Sequence, residues 1–287
     1  MIDTLKQWGH SLDNFKHGAI EKLHELAIPL NPLSKFRITW DILAAIFIVY
    51  EMIVDPYLLA FELEPEGSLD TLEVIKLIFF LLDILLNFHT AFYYEGNLKK
   101  KHKEIAKNYI QSTFFLDLIA SFAALTLLGT KNNLARLLHF LRIYRFRIIL
   151  RVIDDFAQGF ILLNGILNLS VLILYLFLLC HWCACIWRYV GAYNLIADDA
   201  SWMREHDYNL LNNADLYIVS FYWSVTTILT VGYGDILPKT SSERIITIFV
   251  MFLGCIIFSY SVNSVSKIAN TIDAGMSKKR YFLLYNY

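Results

Sequence analysis

The sequence predicts an all-α membrane protein with six transmembrane helices and one re-entrant half-helix. The first observation behind this is composition. Of its 287 residues, 57% are hydrophobic and 18% charged, against about 45–50% and about 25% in soluble domains, and mean hydropathy is +0.48. The second is spacing: six apolar segments approach the roughly 20 residues needed to cross a bilayer, and a shorter one does not. The third is the charge of the loops, which alternates in sign along the chain.

The apolar segments fall at about 36–61, 72–94, 109–128, 134–153, 160–190 and 242–270, with the short one at 216–229. Residues 1–30 are polar and amphipathic, with neither a continuous apolar stretch nor a small-residue cleavage site, so they are not read as a secretory signal. The loop after the second segment carries Lys99, Lys100, Lys101 and Lys103, and the tail carries Lys278, Lys279 and Arg280. The loops after the first and fifth segments are acidic, with Glu62, Glu64 and Glu66 in one and Asp198, Asp199, Glu205 and Asp207 in the other. Six spans with both termini in the cytoplasm satisfy the positive-inside rule. The net charge of −1 says nothing about partners, and no nucleic acid is expected. Cys180 and Cys183 have CxxC spacing but lie within an apolar segment without a second ligand pair. They are read as small packing residues, since structural zinc needs four ligands.

After the short segment comes Thr230-Val231-Gly232-Tyr233-Gly234-Asp235. Rings of backbone carbonyls that replace the hydration shell of K⁺ are built from this kind of loop, four copies to a pore. Carbonyls can all face one axis only if alternate residues adopt backbone angles open to glycine, and Gly232 and Gly234 have that alternation. K⁺ is expected as the permeant ion, bound at Thr230, Val231, Gly232 and Tyr233, with no cofactor. Tyr222, Trp223 and Thr227 precede the loop and are expected to support it, with Asp235 as a hydrogen-bond acceptor. Irregular backbone at this depth is tolerated where it lines a polar path.

The fourth segment carries Arg136, His139, Arg142 and Arg145 at steps of three, followed by Arg147 and Arg151 off that register. Charges within a bilayer are costly and functional by default. About three moving charges in each of four subunits give roughly 28 kcal/mol per 100 mV, enough to drive gating. His139 stands where an arginine would fit the repeat. Acidic partners are sought at Asp83 and Asp117, and at Asp41 and Glu51. Phe80 stands one helical turn before Asp83 on the same face. A purely structural reading, with static pairs binding helix to helix, explains the acids but not basic residues at steps of three.

The chain from about 29 to 272 resembles the six-helix voltage-gated channels that include the EAG, plant inward-rectifier, HCN and cyclic-nucleotide-gated groups. The resemblance rests on Phe36-Arg37-Ile38-Thr39-Trp40-Asp41, Leu82-Asp83-Ile84-Leu85-Leu86-Asn87-Phe88, Phe115-Leu116-Asp117-Leu118-Ile119 and, above all, His181-Trp182-Cys183-Ala184-Cys185-Ile186-Trp187. Leu141-Arg142-Ile143-Tyr144-Arg145-Phe146-Arg147 is similar to the sensor of the plant inward rectifiers. The resemblance implies a charge-transfer centre at Phe80, Asp83 and Asp117, and a sensor packed on its own subunit's pore through a short connection at 154–158. Gly254 is expected either as a gating hinge or as a small residue permitting close helix packing. His89 departs from the family's usual arginine.

The expected organisation is a cytoplasmic segment at 1–35, a four-helix voltage sensor at 36–153 and a two-helix pore domain with re-entrant pore helix and filter at 154–272, then a cytoplasmic tail at 273–287 that starts a linker. The expected protein is a voltage-gated potassium channel subunit in the plasma membrane, a homotetramer among membrane lipids and not an enzyme. Relatives carry a nucleotide-binding domain after the last helix, and this chain ends at Tyr287. Cyclic-nucleotide regulation is therefore expected only where such a domain exists. A weakly selective HCN-like cation channel and a modulatory subunit of a heterotetramer are the competing readings. Thr230 and Asp235 argue against the first.

Overall fold

The computed structural model describes residues 29–63, 68–129, 133–145, 161–198, 200–205 and 207–285. Arg147, Arg151 and the expected connection at 154–158 lie outside the described residues. Helix α1 (Lys35–Ala60) starts at Ser34, whose hydroxyl accepts the amide N–H of Arg37. Helix α2 (Ser68–Phe88) follows. The second segment was expected to remain helical to 94. Instead α2 stops at Phe88, and β1 (Phe92–Tyr94) pairs antiparallel with β2 (Asn97–Lys99). The two-residue turn between them places Glu95 at φ 49° and Gly96 at φ 77°. Two positive φ values match the right-handed twist of the flanking strands, which is why a hairpin forms here.

The third apolar segment is corrected as well. Residues 109–112 belong to a polar helix, α3 (His102–Ser112), and the chain turns at Thr113 before α4 (Phe114–Gly129). A 3₁₀ helix covers Asn133–Arg145, followed by α5 (Ile161–Asp198), α6 (Asn213–Ile228) and α7 (Ser241–Tyr285). The fifth and last helices therefore run past their expected ends at 190 and 270. Among the described residues, three helical stretches are by length and composition fit to cross a membrane: Lys35–Ala60, Leu163–Ala197 and Ser241–Asn270. Helix α2 holds the charged residues Asp70, Glu73, Lys76 and Asp83 among its apolar ones.

Two apolar clusters hold the helices together. Phe80 of α2 packs with Ala44, Ile48 and Met52 of α1 and Leu178 of α5, and Phe140 and Trp182 border them. The other cluster surrounds Trp187, Trp202 and Trp223 where α5, α6 and α7 meet. Pro56 inside α1 explains how α1 binds α5. Proline has no N–H, so the carbonyl four residues back loses its helical donor. That carbonyl, on Met52, accepts the Trp182 indole N–H at 2.8 Å. Beside it the Ile53 carbonyl accepts from His181 Nε2 at 2.8 Å, and Tyr217 faces His181 Nδ1 at 2.8 Å. At the end of α1, the Ala60 carbonyl accepts from Arg188, whose guanidinium lies over the Phe61 ring. Much of the histidine-tryptophan stretch of α5 thus satisfies carbonyls of α1 that a bilayer could not.

Candidate functional site

Four basic side chains lie along the 3₁₀ helix. In an α-helix, steps of three drift about 60° per step around the axis, whereas in a 3₁₀ helix they stay aligned. Runs of this helix beyond three or four residues are uncommon, and this one has 13. The reason is tertiary: Arg136, His139, Arg142 and Arg145 are all buried on one face, each against acids of neighbouring helices. Without those partners, each buried charge would be strongly destabilising.

The acids form two groups separated by Phe80. In the first, Arg136 Nη1 donates to Asp55 at 3.1 Å and Glu73 at 3.4 Å, and His139 Nδ1 lies 2.7 Å from Asp55. Arg142 Nη1 donates to Glu51 at 3.1 Å and its Nη2 to the Ser121 hydroxyl at 3.0 Å. Lys76 joins this group, 3.0 Å from Glu73 and 3.7 Å from Glu51. The Arg142 guanidinium sits 3.7 Å from the centroid of the Phe80 ring, a cation–π contact.

In the second group Arg145 bridges Asp83 and Asp117, at 2.7 Å from the latter. Asp117 is in the first turn of α4, where the helix dipole favours a carboxylate. The hydroxyls of Tyr109 and Tyr144 donate to it at 2.8 and 2.7 Å. Asp83 is shared: Oδ2 takes Arg145 and the Asn87 amide, while Oδ1 takes the Trp40 indole at 3.0 Å and Arg37 at 3.5 Å. Arg37 also donates to Asp41 at 2.6 Å.

The structure therefore brings Phe80, Asp83, Asp117, Arg142 and Arg145 together, with Arg136 on the far side of Phe80. Glu51 is a partner of Arg142, whereas Asp41 pairs with Arg37 rather than with the 3₁₀ helix. Asp55, Glu73 and Lys76 escaped the sequence reading. Their signal was spacing, since 51 and 55 share one helix face, as do 73, 76, 80 and 83.

A second candidate site begins at the end of α6, a half-length helix capped at its start by Asn212. Backbone φ is positive at Thr230 (59°), Gly232 (58°) and Gly234 (77°). Positive φ at 230, 232 and 234 thus alternates with negative φ at 231 and 233. The Thr226 carbonyl accepts the N–H groups of both Val231 and Gly232, at 2.8 and 3.1 Å, and so braces the turn. Residues 229–235 are exposed on the single chain. The Tyr222 ring lies parallel to that of Tyr233, at 6.4 Å, and Tyr222 also interacts with the Asp235 carboxylate. Trp223 is placed elsewhere: buried, it stacks on Trp187 at 3.8 Å behind α6. The Thr227 hydroxyl donates to the Trp223 carbonyl at 2.7 Å.

Two further contacts hold this loop against the helices. The buried Glu243 carboxylate accepts N–H groups from Lys239 at 2.7 Å, from Thr240 and Trp202 at 3.3 Å each, and from the Asn194 amide at 3.3 Å. It thereby ties the chain leaving the loop to α5 and to the Ser201–Trp202 segment. The Thr-x-x-Glu spacing of a capping box was the signal for it. At Gly254 a Cβ would stand 2.9 Å from the Ile228 carbonyl oxygen, so glycine is what lets α7 touch the end of α6.

Buried ion pairs along one helix, beside a half-helix with a carbonyl-turning loop, define a membrane protein that handles charge. Residues 37–273 match the ion transport protein family, and the chain belongs to that family. Similar proteins include the potassium voltage-gated channel unc-103 of Caenorhabditis elegans, 26% identical over 88% of this chain and 35% of that protein. The voltage-gated inwardly rectifying potassium channel KCNH2 of Cavia porcellus is 28% identical over 85% of this chain and 21% of its own length. The voltage-gated delayed rectifier potassium channel KCNH1 of Rattus norvegicus is 26% identical over 85% and 28%. The chain thus spans about a third or less of these relatives.

Proposed function

We propose that this chain is a subunit of a voltage-gated, potassium-selective channel, with four copies surrounding one pore. The observation that carries the reading is the backbone of Thr230–Asp235: positive φ alternates with ordinary angles, as stacked carbonyl rings require. Four exposed loops around an axis would supply the rings, with K⁺ bound between carbonyls of Thr230, Val231, Gly232 and Tyr233. Helix α6 directs its negative C-terminal end toward the same axis, which favours cations below the loop.

Helices α1, α2, α4 and the 3₁₀ helix form the voltage sensor at 36–153, and α5 to α7 the pore domain at 154–272. With six spans, both termini are cytoplasmic and the setting is the plasma membrane. Arg136, Arg142 and Arg145 carry the gating charge past Phe80, handed between the two acidic groups, with Arg147 and Arg151 as further sensor residues off that register. Gly254 allows α7 to move against α6. The names of the similar proteins support this reading at the level of the family.

Recording from the purified chain in planar bilayers tests it. The reversal potential in mixed K⁺ and Na⁺ should follow the K⁺ gradient, and barium should block the current. A reversal potential near zero in symmetrical total cation would favour the weakly selective cation channel instead. Absence of current from the chain alone, with conduction restored by a second subunit, would identify a modulatory subunit.

A further inference from the structure

Histidine is the basic side chain that gains and loses a proton near neutral pH, and one of the four residues on the charged face of the 3₁₀ helix is His139. It is buried, and its two ring nitrogens differ. Nδ1 lies 2.7 Å from Asp55 and 3.9 Å from Glu51. A carboxylate only accepts, so the short contact places a proton on Nδ1. Nε2 is buried with no hydrogen-bond partner among the described residues. Around the ring stand Glu51 and Asp55 of α1, Glu73 and Lys76 of α2, and Arg136 and Arg142 of its own helix, with Tyr50 under Lys76. Helix α4 presents the Ser121 hydroxyl, its one carboxylate, Asp117, lying beyond Phe80, and α5 brings Trp182 against Phe140. Three carboxylates thus meet the three cations Arg136, Arg142 and Lys76, and the group is balanced with the imidazole neutral.

Beyond Phe80 the balance is different. Arg145 there bonds both Asp83 and Asp117. Three residues of a 3₁₀ helix advance about 6 Å, so a sensor displaced inward by two such steps sets His139 where Arg145 stands. An imidazolium has two N–H donors for those two carboxylates, and Nε2 gains the partner it lacks in the position shown. Solvent reaches that place. Asp117 accepts from the hydroxyls of Tyr109 and Tyr144, which line a cavity of about 370 Å³ with the exposed Asn108 and Ser112 at its mouth. A polar cavity of this size holds several waters. On the other side of Phe80, Asp55 is about 8 Å from the end of α1 at Ala60.

We propose a second activity for this chain: its moving 3₁₀ helix shuttles protons across the membrane on His139, separately from the K⁺ path. On the cytoplasmic side a water of the cavity gives up a proton and an Nε2–H bond forms. On the outer side the Nδ1–H bond breaks, an O–H bond forms on Asp55, and Asp55 passes the proton to outside water. The neutral ring turns its remaining N–H toward Asp55 for the next cycle. Protons move down their electrochemical gradient, and the opposite gradient runs the same steps backward. The proposal rests on the voltage-sensor reading, in which Arg136 and Arg142 both pass Phe80. His139 lies between them in the chain and passes with them.

The test uses the full chain in lipid vesicles, with the membrane potential set by a K⁺ gradient and valinomycin, a trapped pH dye, and barium to block the pore. Two variants bracket the native protein: His139→Arg keeps its proton, and His139→Gln binds none. Proton flux should fall at least tenfold in both. In the native protein it should peak near the midpoint of the conductance–voltage curve, where sensors cross most often, and decline at both extremes of potential. K⁺ currents of His139→Arg, recorded in planar bilayers, should steepen by about one third, from three gating charges to four; this variant serves if the glutamine one does not fold. Equal proton flux in native and variant proteins whose K⁺ currents are voltage-gated overturns the shuttle and leaves the sensor standing. Flux that needs His139 but stays high at both extremes of potential also overturns it, in favour of a fixed path. K⁺ current and proton flux both indifferent to voltage would remove the sensor reading, and the shuttle with it.

Discussion

Replacing Arg145 with glutamine tests the sensor most directly. The guanidinium bridges Asp83 and Asp117, which lie on one side of Phe80, while Arg136, His139 and Arg142 pair with Glu51, Asp55 and Glu73. Removing one partner of a buried pair costs about 3–5 kcal/mol. The low end applies here, because Asp83 keeps Trp40 and Asn87 as donors and Asp117 keeps Tyr109 and Tyr144. The position shown therefore loses about 3 kcal/mol per subunit. Two arginines remain on the described 3₁₀ helix, and together they respond with about 4.6 kcal/mol per 100 mV. The midpoint should move by about 65 mV. The shift should be in the direction that disfavours the position shown. The slope should flatten by about one third, from three charges to two. Conductance–voltage curves in planar bilayers measure both. An unchanged midpoint and slope in protein that still conducts refutes the assignment of Arg145 as a gating charge. Adding Asp117→Asn should recover part of the shift, since it removes the orphaned carboxylate.

Three other outcomes follow from single contacts. Phe80→Leu keeps apolar volume but loses the ring beneath Arg142 at 3.7 Å; the loss of about 1–2 kcal/mol should speed sensor relaxation, read as the time constant of current activation. Gly232→Ala forces a side chain onto φ 58°, which costs about 1–2 kcal/mol in each subunit, and reversal potentials should show lost preference for K⁺ over Na⁺. Glu243→Gln places an amide donor among N–H donors that now share a carboxylate; the loss of about 1–3 kcal/mol should lower the melting temperature and hasten current decay during sustained opening.

Residue type and spacing were enough for much of this architecture. The apolar segments, the TVGYGD loop and the basic residues at steps of three are local features, and each reports its own cost of burial. The hairpin at 92–99 was missed because β1 continues the apolar run of the second segment while β2 enters the Lys-rich loop, which was read for orientation. The break at Thr113 was missed because Tyr109 and Ile110, at the end of the polar helix α3, were read as the start of the apolar segment that follows.

What the sequence by itself determined was which groups must find partners: a guanidinium, a carboxylate or a proline-freed carbonyl cannot stay bare in a bilayer. Which partner each one found was decided only by the tertiary structure. Asp41 went to Arg37 and Glu51 to Arg142; Trp223 went to Trp187 while its neighbour Tyr222 went to Tyr233 of the loop after α6. Steps of three allowed either helix type, and the choice of 3₁₀ followed from acids contributed by α1, α2 and α4 to a single face. Pairing energies depend on distances of a few ångströms between segments remote in the chain, and those distances exist only once the helices have packed.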